Sequence, residues 1–431
     1  MSAMSSITAL DAIEILDSRG RPTVAATCAL AGGARASASV PSGASTGSGE
    51  AVELRDGDQR RHRGYGCRTA AANVRGPIAA ALAGRAFDQA GLDAALIALD
   101  GSADKSRLGA NALLATSLAF ARAVAQDRAQ PLYRYFADLA GVAEPRLPRP
   151  TVNLFSGGKH AGGQVAIQDV LIVPLSAMTM DDALADVCAV YHAAADLMRT
   201  RYGARALVAD EGGLAPPFPS CEAMLADAVD AIAAAGLRPG IDVALAVDAA
   251  ATHFHADGVY ELDGRRHDAA GMIDTLAGWV ARYPIVSLED GLAEDDWANW
   301  PRLCARLSER VLVLGDDLLC TNPTRIARAI DARAATALLL KVNQIGTLSE
   351  ARRSLDLATA AGWQVTVSAR SGETEDDWLA DLAIGWRGDQ IKIGSITRSE
   401  RLAKYNRLLA IEAQARLPLA PWVARASSAG R

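Results

Sequence analysis

Short apolar runs recur through the later two thirds of the chain, and most of them stop at a polar side chain. The run 243–247 stops at Asp248, 285–288 at Glu289 and 338–340 at Lys341. The run 311–314 reaches Asp316 one glycine later, 365–367 leads to Arg370, and Ile391 is followed by Lys392. These polar residues lie 41, 27, 25, 29 and 22 positions apart, about one strand plus one helix each time. The stretches between them carry helical patterns, such as 347–361, which begins TLSEARR and ends before Gly362. Repeated strand–helix units predict a parallel sheet covered by helices. Six units in series favour a closed (β/α)8-type barrel over an open sheet. Such barrels keep their chemistry at the C-terminal strand ends, where each of these polar residues falls.

The first part of the chain reads differently. Residues 24–30 and 35–40 flank Ala31-Gly32-Gly33, a hairpin signal. A Gly/Ser-rich loop, PSGASTGSGE, follows at 41–50, and an Ala/Leu stripe over 111–126 predicts a helix. Pro145, Pro148 and Pro150 mark a linker. The expected organisation is an N-terminal α+β domain over 1–140, a linker over 141–150 and a barrel over 151–418. The tail over 419–431 is expected to be disordered.

Composition narrows the function. The chain has 431 residues, enough for two or three domains; half of them are hydrophobic and 22% are charged, as in a well-packed soluble enzyme. A net charge of −6 argues against nucleic acid or an anionic membrane as the main partner, but allows a small anionic ligand in a locally basic pocket. The six cysteines include no C-x-x-C pair, so they read as buried small hydrophobes in a reducing cytoplasm rather than a zinc site or disulfide framework. The N-terminus has no basic region ahead of an apolar core, and no window approaches 18 apolar residues, so a cytoplasmic location is expected.

Three carboxylates, Asp248, Glu289 and Asp316, would converge at one barrel mouth. Without a cation they would repel strongly. All-oxygen ligation with open positions suits Mg²⁺. Lys341 and Lys392 lie on following strands, and a lysine near cations and another ammonium is expected to fall toward neutrality and act as a base. That set suits removal of a weakly acidic proton next to a carboxylate, because the dianionic intermediate needs concentrated positive charge.

Long motifs carry a resemblance on top of this. They are DSRGRPTV (17–24), PSGASTG (41–47), ELRDGD (53–58), LGANALLATSLA (108–119), GGKHAGG (157–163), DEGGLAP (210–216), LEDGLAEDDW (288–297), LGDDLLCTNP (314–323), LLLKVNQIGTLSE (338–350), RSGETED (370–376) and RSERLAKYN (398–406). From about residue 6 to 414 the chain resembles the enolase family, the phosphopyruvate hydratases. The resemblance implies an N-terminal α+β domain capping a modified (β/α)8 TIM-type barrel, two Mg²⁺ per site, and a homodimer or larger assembly. Asp248, Glu289 and Asp316 match ligands of the first ion, Asp316 being taken over Asp317 by the family pattern. Ser45 matches a residue that helps hold the second ion with the substrate phosphate. Lys341 matches the base, Glu211 the acid for the departing hydroxyl, and Asp169 a carboxylate of the same acid network. Lys392 matches the lysine beside the substrate carboxylate, Arg370 and Ser371 the phosphate grip, and His160 and Gln168 the closing loop.

Two departures fall in that site. Ala369 stands where the family has histidine, and Asp169 stands where it has glutamate. Lesser departures are Ser156 for Asn, Ala209 for Gly, Gly291 for Pro and His253 for Glu. A positioned acid–base group contributes about 10²–10⁴-fold, so losing one should depress the ordinary reaction. The intact carboxylates and lysines, and the room released by both changes, point to a related substrate with a larger distal group. One enolase-like relative, carboxyphosphonoenolpyruvate synthase of phosphonate pathways, removes water from such a molecule. An ordinary enolase acting on 2-phosphoglycerate and a non-catalytic scaffold are the alternative expectations.

Overall fold

The computed structural model describes residues 4–44, 46–203 and 207–422. Four antiparallel strands, β1 (Ser5–Leu16), β2 (Pro22–Leu30), β3 (Arg35–Ser39) and β4 (Ala86–Phe87), form the N-terminal sheet in the order β3-β2-β1-β4. The expected hairpin is β2–β3, closed by Gly33 at φ +93°. Alternation along β2 buries Val24, Ala26, Cys28 and Leu30 on one face. The helix Ala110–Asp127 packs on that face and is buried through most of its length. Among the described residues no helix is long and apolar enough to cross a membrane.

The barrel begins with β5 (Arg149–Ser156), β6 (Asp169–Pro174) and β7 (Val243–Asp248). A small outer sheet follows, of β8 (His255–Ala256), β9 (Val259–Leu262) and β10 (Arg265–His267). The barrel then continues with β11 (Ile285–Glu289), β12 (Leu312–Gly315), β13 (Ala337–Leu340), β14 (Gln364–Ser368) and β15 (Gln390–Lys392). It closes in the order β11-β12-β13-β14-β15-β5-β6-β7. The six periodic runs are β7 and β11 to β15. The remaining two strands break the all-parallel rule: β6 runs antiparallel to both β5 and β7. Only one short 3-10 turn, Gly158–His160, separates β5 from β6, so the chain returns by the loop 157–168 over the mouth.

Two expectations are corrected at the opposite end. Arg149 and Pro150, placed in the linker, begin β5 and pair with Gln390 and Ile391. A proline is tolerated this early in a strand. The start of the tail is packed: Ala420 O accepts from Arg149 Nε at 3.0 Å, and Trp422 lies against two small apolar clusters, one from β12 and β13 and one centred on β6 and β7. The half-buried Trp422 indole gives these few residues apolar contacts that offset part of their ordering cost. Residues 423–431 lie outside the described residues.

The N-terminal domain docks on the barrel near its mouth. Trp378 Nε1 donates to Ser39 O at 3.0 Å, and Ser39 N donates to Asp376 Oδ2 at 2.8 Å. This docking delivers the loop 41–50 to the strand ends.

Candidate active site

Strand register brings the carboxylates together. Asp248 and Glu289 are direct neighbours at the ends of β7 and β11. Asp316 follows β12 by one residue, Lys341 follows β13, and Lys392 ends β15 opposite Ser368. Asp169 opens its strand rather than ending it. Because β6 runs backwards, that first residue also stands at the mouth, beside Asp248 and Ser156.

All of these side chains are buried. Lys392 Nζ donates to Asp248 Oδ2 at 2.9 Å and to Glu289 Oε2 at 2.6 Å. Lys341 Nζ donates to Asp316 Oδ2. Gln168 Nε2 donates to Asp248 Oδ2 at 3.1 Å, and Gln344 Nε2 to Asp316 Oδ1 at 2.9 Å. Burial works to lower both lysines, but the facing carboxylates outweigh it and hold both above the ordinary value. The expected drop toward neutrality is therefore not met with the ammonium groups paired in this way; it needs Asp316 to be neutralised by something else.

The residues fit a divalent cation. Burial and neighbouring carboxylates push Glu289 and Asp290 well up, and Asp317 up to about 7. Glu289 Oε1 is buried without a hydrogen-bond partner. A hard cation with oxygen ligands answers both features. Among the described residues, two groups of three donors converge within 4.8 Å: Asp290, Asp316 and Asp317, and His160, Asp169 and Glu211. The expected trio is not among them. Lys392 stands between Asp248 and Glu289, and Asp316 gathers with Asp290 and Asp317, whose amide, like that of Asp316, donates to the Asp290 carboxylate. Ser45, expected at a second ion, lies outside the described residues.

The loop 157–168 supplies the other half of the site. His160 Nδ1 is 2.9 Å from Asp169 Oδ2, and its Nε2 is 3.8 Å from Glu211 Oε1. Ser156 Oγ donates to Asp169 Oδ1 at 2.6 Å, so two of the departures from the family pattern touch each other. Asn153 Nδ2 donates to Glu211 Oε2 at 3.1 Å. Burial would lower the His160 imidazole, but Asp169 and Glu211 outweigh it and raise it to about 9. Burial would raise Glu211, but His160, Arg401 and the two lysines hold it below its ordinary value. Burial pushes the third member, Asp169, up despite His160, so the three groups share their protons as one coupled set.

On the far side, Arg370 is buried and faces Glu50 and Asn343. Arg401 braces its backbone, donating to the carbonyls of Arg370 and Ser371, each at 2.6 Å. Ser371 Oγ accepts from Arg19 Nη1 at 3.1 Å. Ala369 N donates to Lys392 O at 2.8 Å, and Ala369 lines a small cavity of about 20 Å³, shared with His160, Gln168, Glu211, Lys341 and Lys392. The sequence pattern alone does not single out Glu50, Asn153, Asp290, Asn343 or Gln344. Asn343 and Gln344 sit two and three places after Lys341, and Glu50 ends the PSGASTGSGE loop. Proximity to motif residues was the available signal.

The fold and the site define a barrel enzyme whose acids and lysines are laid out around one closed mouth, beneath a second domain. The family comparisons agree with that class. The description "Enolase, N-terminal domain" matches residues 7–136, and "Enolase, C-terminal TIM barrel domain" matches residues 144–418. The chain belongs to the enolase family, whose members are hydro-lyase-type enzymes.

Proposed function

We propose that the chain is a Mg²⁺-dependent dehydratase. It removes the α-proton of a 2-phosphoglycerate-like carboxylate and then expels water, and its own substrate carries a larger phosphorus-bearing group, as in the precursor of carboxyphosphonoenolpyruvate. One observation carries the choice of substrate: Ala369, a small side chain, lines the site where the family has an imidazole.

The roles follow from position. Lys341 takes the α-proton from one side of the bound substrate. Lys392 holds the substrate carboxylate. Arg370 and Ser371 grip the phosphoryl end. His160, carrying its proton between Asp169 and Glu211, delivers it to the departing hydroxyl. Asp248, Glu289 and Asp316, with Ser45 for a second ion, would hold Mg²⁺, which when bound neutralises the carboxylates and the charge that builds on the substrate carboxylate. Closure of the loops 41–50 and 157–168 keeps bulk water out.

The placement of His160 favours a second reading, ordinary turnover of 2-phosphoglycerate, because this imidazole can stand in for the one absent at Ala369. The 2-phosphoglycerate assay with saturating Mg²⁺, read by absorbance of the enol product, separates the two. Ordinary turnover there would sink the specialised reading.

A further inference from the structure

The loop 41–50 carries an anion of its own to the phosphate grip. Glu50 Oε2 accepts from Arg370 Nη1 at 3.0 Å, and Oε1 accepts from Nη2 at 3.1 Å. This is a two-pronged pair between side chains only 8% and 2% exposed. Glu50 is held in place: Oε1 also accepts from Gly47 N at 3.0 Å, and Ala51 N donates to Gln344 O at 2.8 Å. The loop itself is seated on the barrel. Ser42 and Gly372 exchange backbone bonds of 2.8 and 3.0 Å, and Ser48 N donates to Glu294 Oε2 at 2.9 Å. Gly47 allows the close fit, since a Cβ there would come within 2.5 Å of Cys320 Sγ.

A carboxylate fills the guanidinium fork with the geometry that a phosphoryl group would use. Any ligand anion reaching this edge of Arg370 therefore competes with one already tethered, at high effective concentration. A monoanion that replaces Glu50 exchanges one charge for the same charge and gains nothing. A dianionic group brings a second charge and a third oxygen, and gains.

We infer that Glu50 is a specificity-determining residue of the proposed site, an internal carboxylate that bars monoanionic groups from Arg370 and admits a dianionic phosphoryl or phosphonyl group. The inference rests on the reading of Arg370 as the phosphate grip.

Calorimetric titration of the Mg²⁺-saturated full chain with two probes tests it. Methylphosphonate, at a pH where it is a dianion, and dimethylphosphinate, a monoanion, share a tetrahedral phosphorus. Wild type is expected to bind the first and discriminate against the second. Glu50→Gln, which keeps shape and removes charge, should bind both and narrow the preference about tenfold. Glu50→Asp, which keeps the charge but withdraws it, should fall between. An unchanged preference in Glu50→Gln, or equal weakening of both probes, would show that Glu50 only positions Arg370 and would overturn the inference. Arg370→Gln should abolish methylphosphonate binding. Wild-type binding in that variant would overturn the phosphate grip itself, a result distinct from failure of the Glu50 variants.

Discussion

His160 stands between two carboxylates, with Nδ1 2.9 Å from Asp169 and Nε2 3.8 Å from Glu211. One imidazole thus joins β6, which runs backwards in the barrel, to the segment carrying Glu211. If His160 delivers the proton to the leaving hydroxyl, His160→Gln should lower kcat by about 10²–10⁴-fold. Exchange of the α-proton with solvent should survive, because Lys341 is untouched. Loss of both together would move His160 out of the elimination step.

The same group has a pH signature. The His160 imidazole is raised from 6.5 to about 9. Its protonated, paired form adds stability that is fully present below 6.5 and is lost as pH rises through about 9. The urea midpoint of the wild type should therefore fall across that window more steeply than that of His160→Gln. Parallel curves would contradict the pairing.

Lys341→Ala should abolish α-proton exchange with any substrate analogue, a loss on the order of 10⁴-fold. Nuclear magnetic resonance of the α-position in D₂O reads this directly. Surviving exchange would mean that the base is another group.

Glu289→Gln should weaken Mg²⁺ binding on the order of 100-fold in a calorimetric titration, since it removes a charged donor whose Oε1 is buried and unpartnered. Undiminished binding would place the ion elsewhere, the Asp290, Asp316 and Asp317 group being the next candidate.

Ala369→His restores the absent imidazole to the cavity. It should raise 2-phosphoglycerate turnover at least about tenfold and exclude larger analogues, as expected when a filled pocket loses volume. Unchanged selectivity would show that the cavity does not read the distal group.

The six strand–helix periods were legible because each buried strand is a short apolar run that must end where the chain meets polar chemistry. Asp248, Glu289, Lys341 and Lys392 could be named from this pattern. The direction of β6 could not, because 169–174 looks the same read either way. Asp169 reaches the mouth only through that reversal. The packed start of the tail was also hidden: Trp422 has no periodic context, and its partners lie on β6, β7, β12 and β13.

Alone, the sequence determined the repeating units, the identity of the acids, lysines and arginine, and the absence of histidine at Ala369. These are properties of local pattern and of residue type. The tertiary structure decided which groups face each other: Glu50 with Arg370, Lys392 between Asp248 and Glu289, and His160 between Asp169 and Glu211. Except for His160 and Asp169, nine residues apart, these pairings join segments tens to hundreds of residues apart. Their charge states depend on burial and on partners, and only the folded chain supplies both.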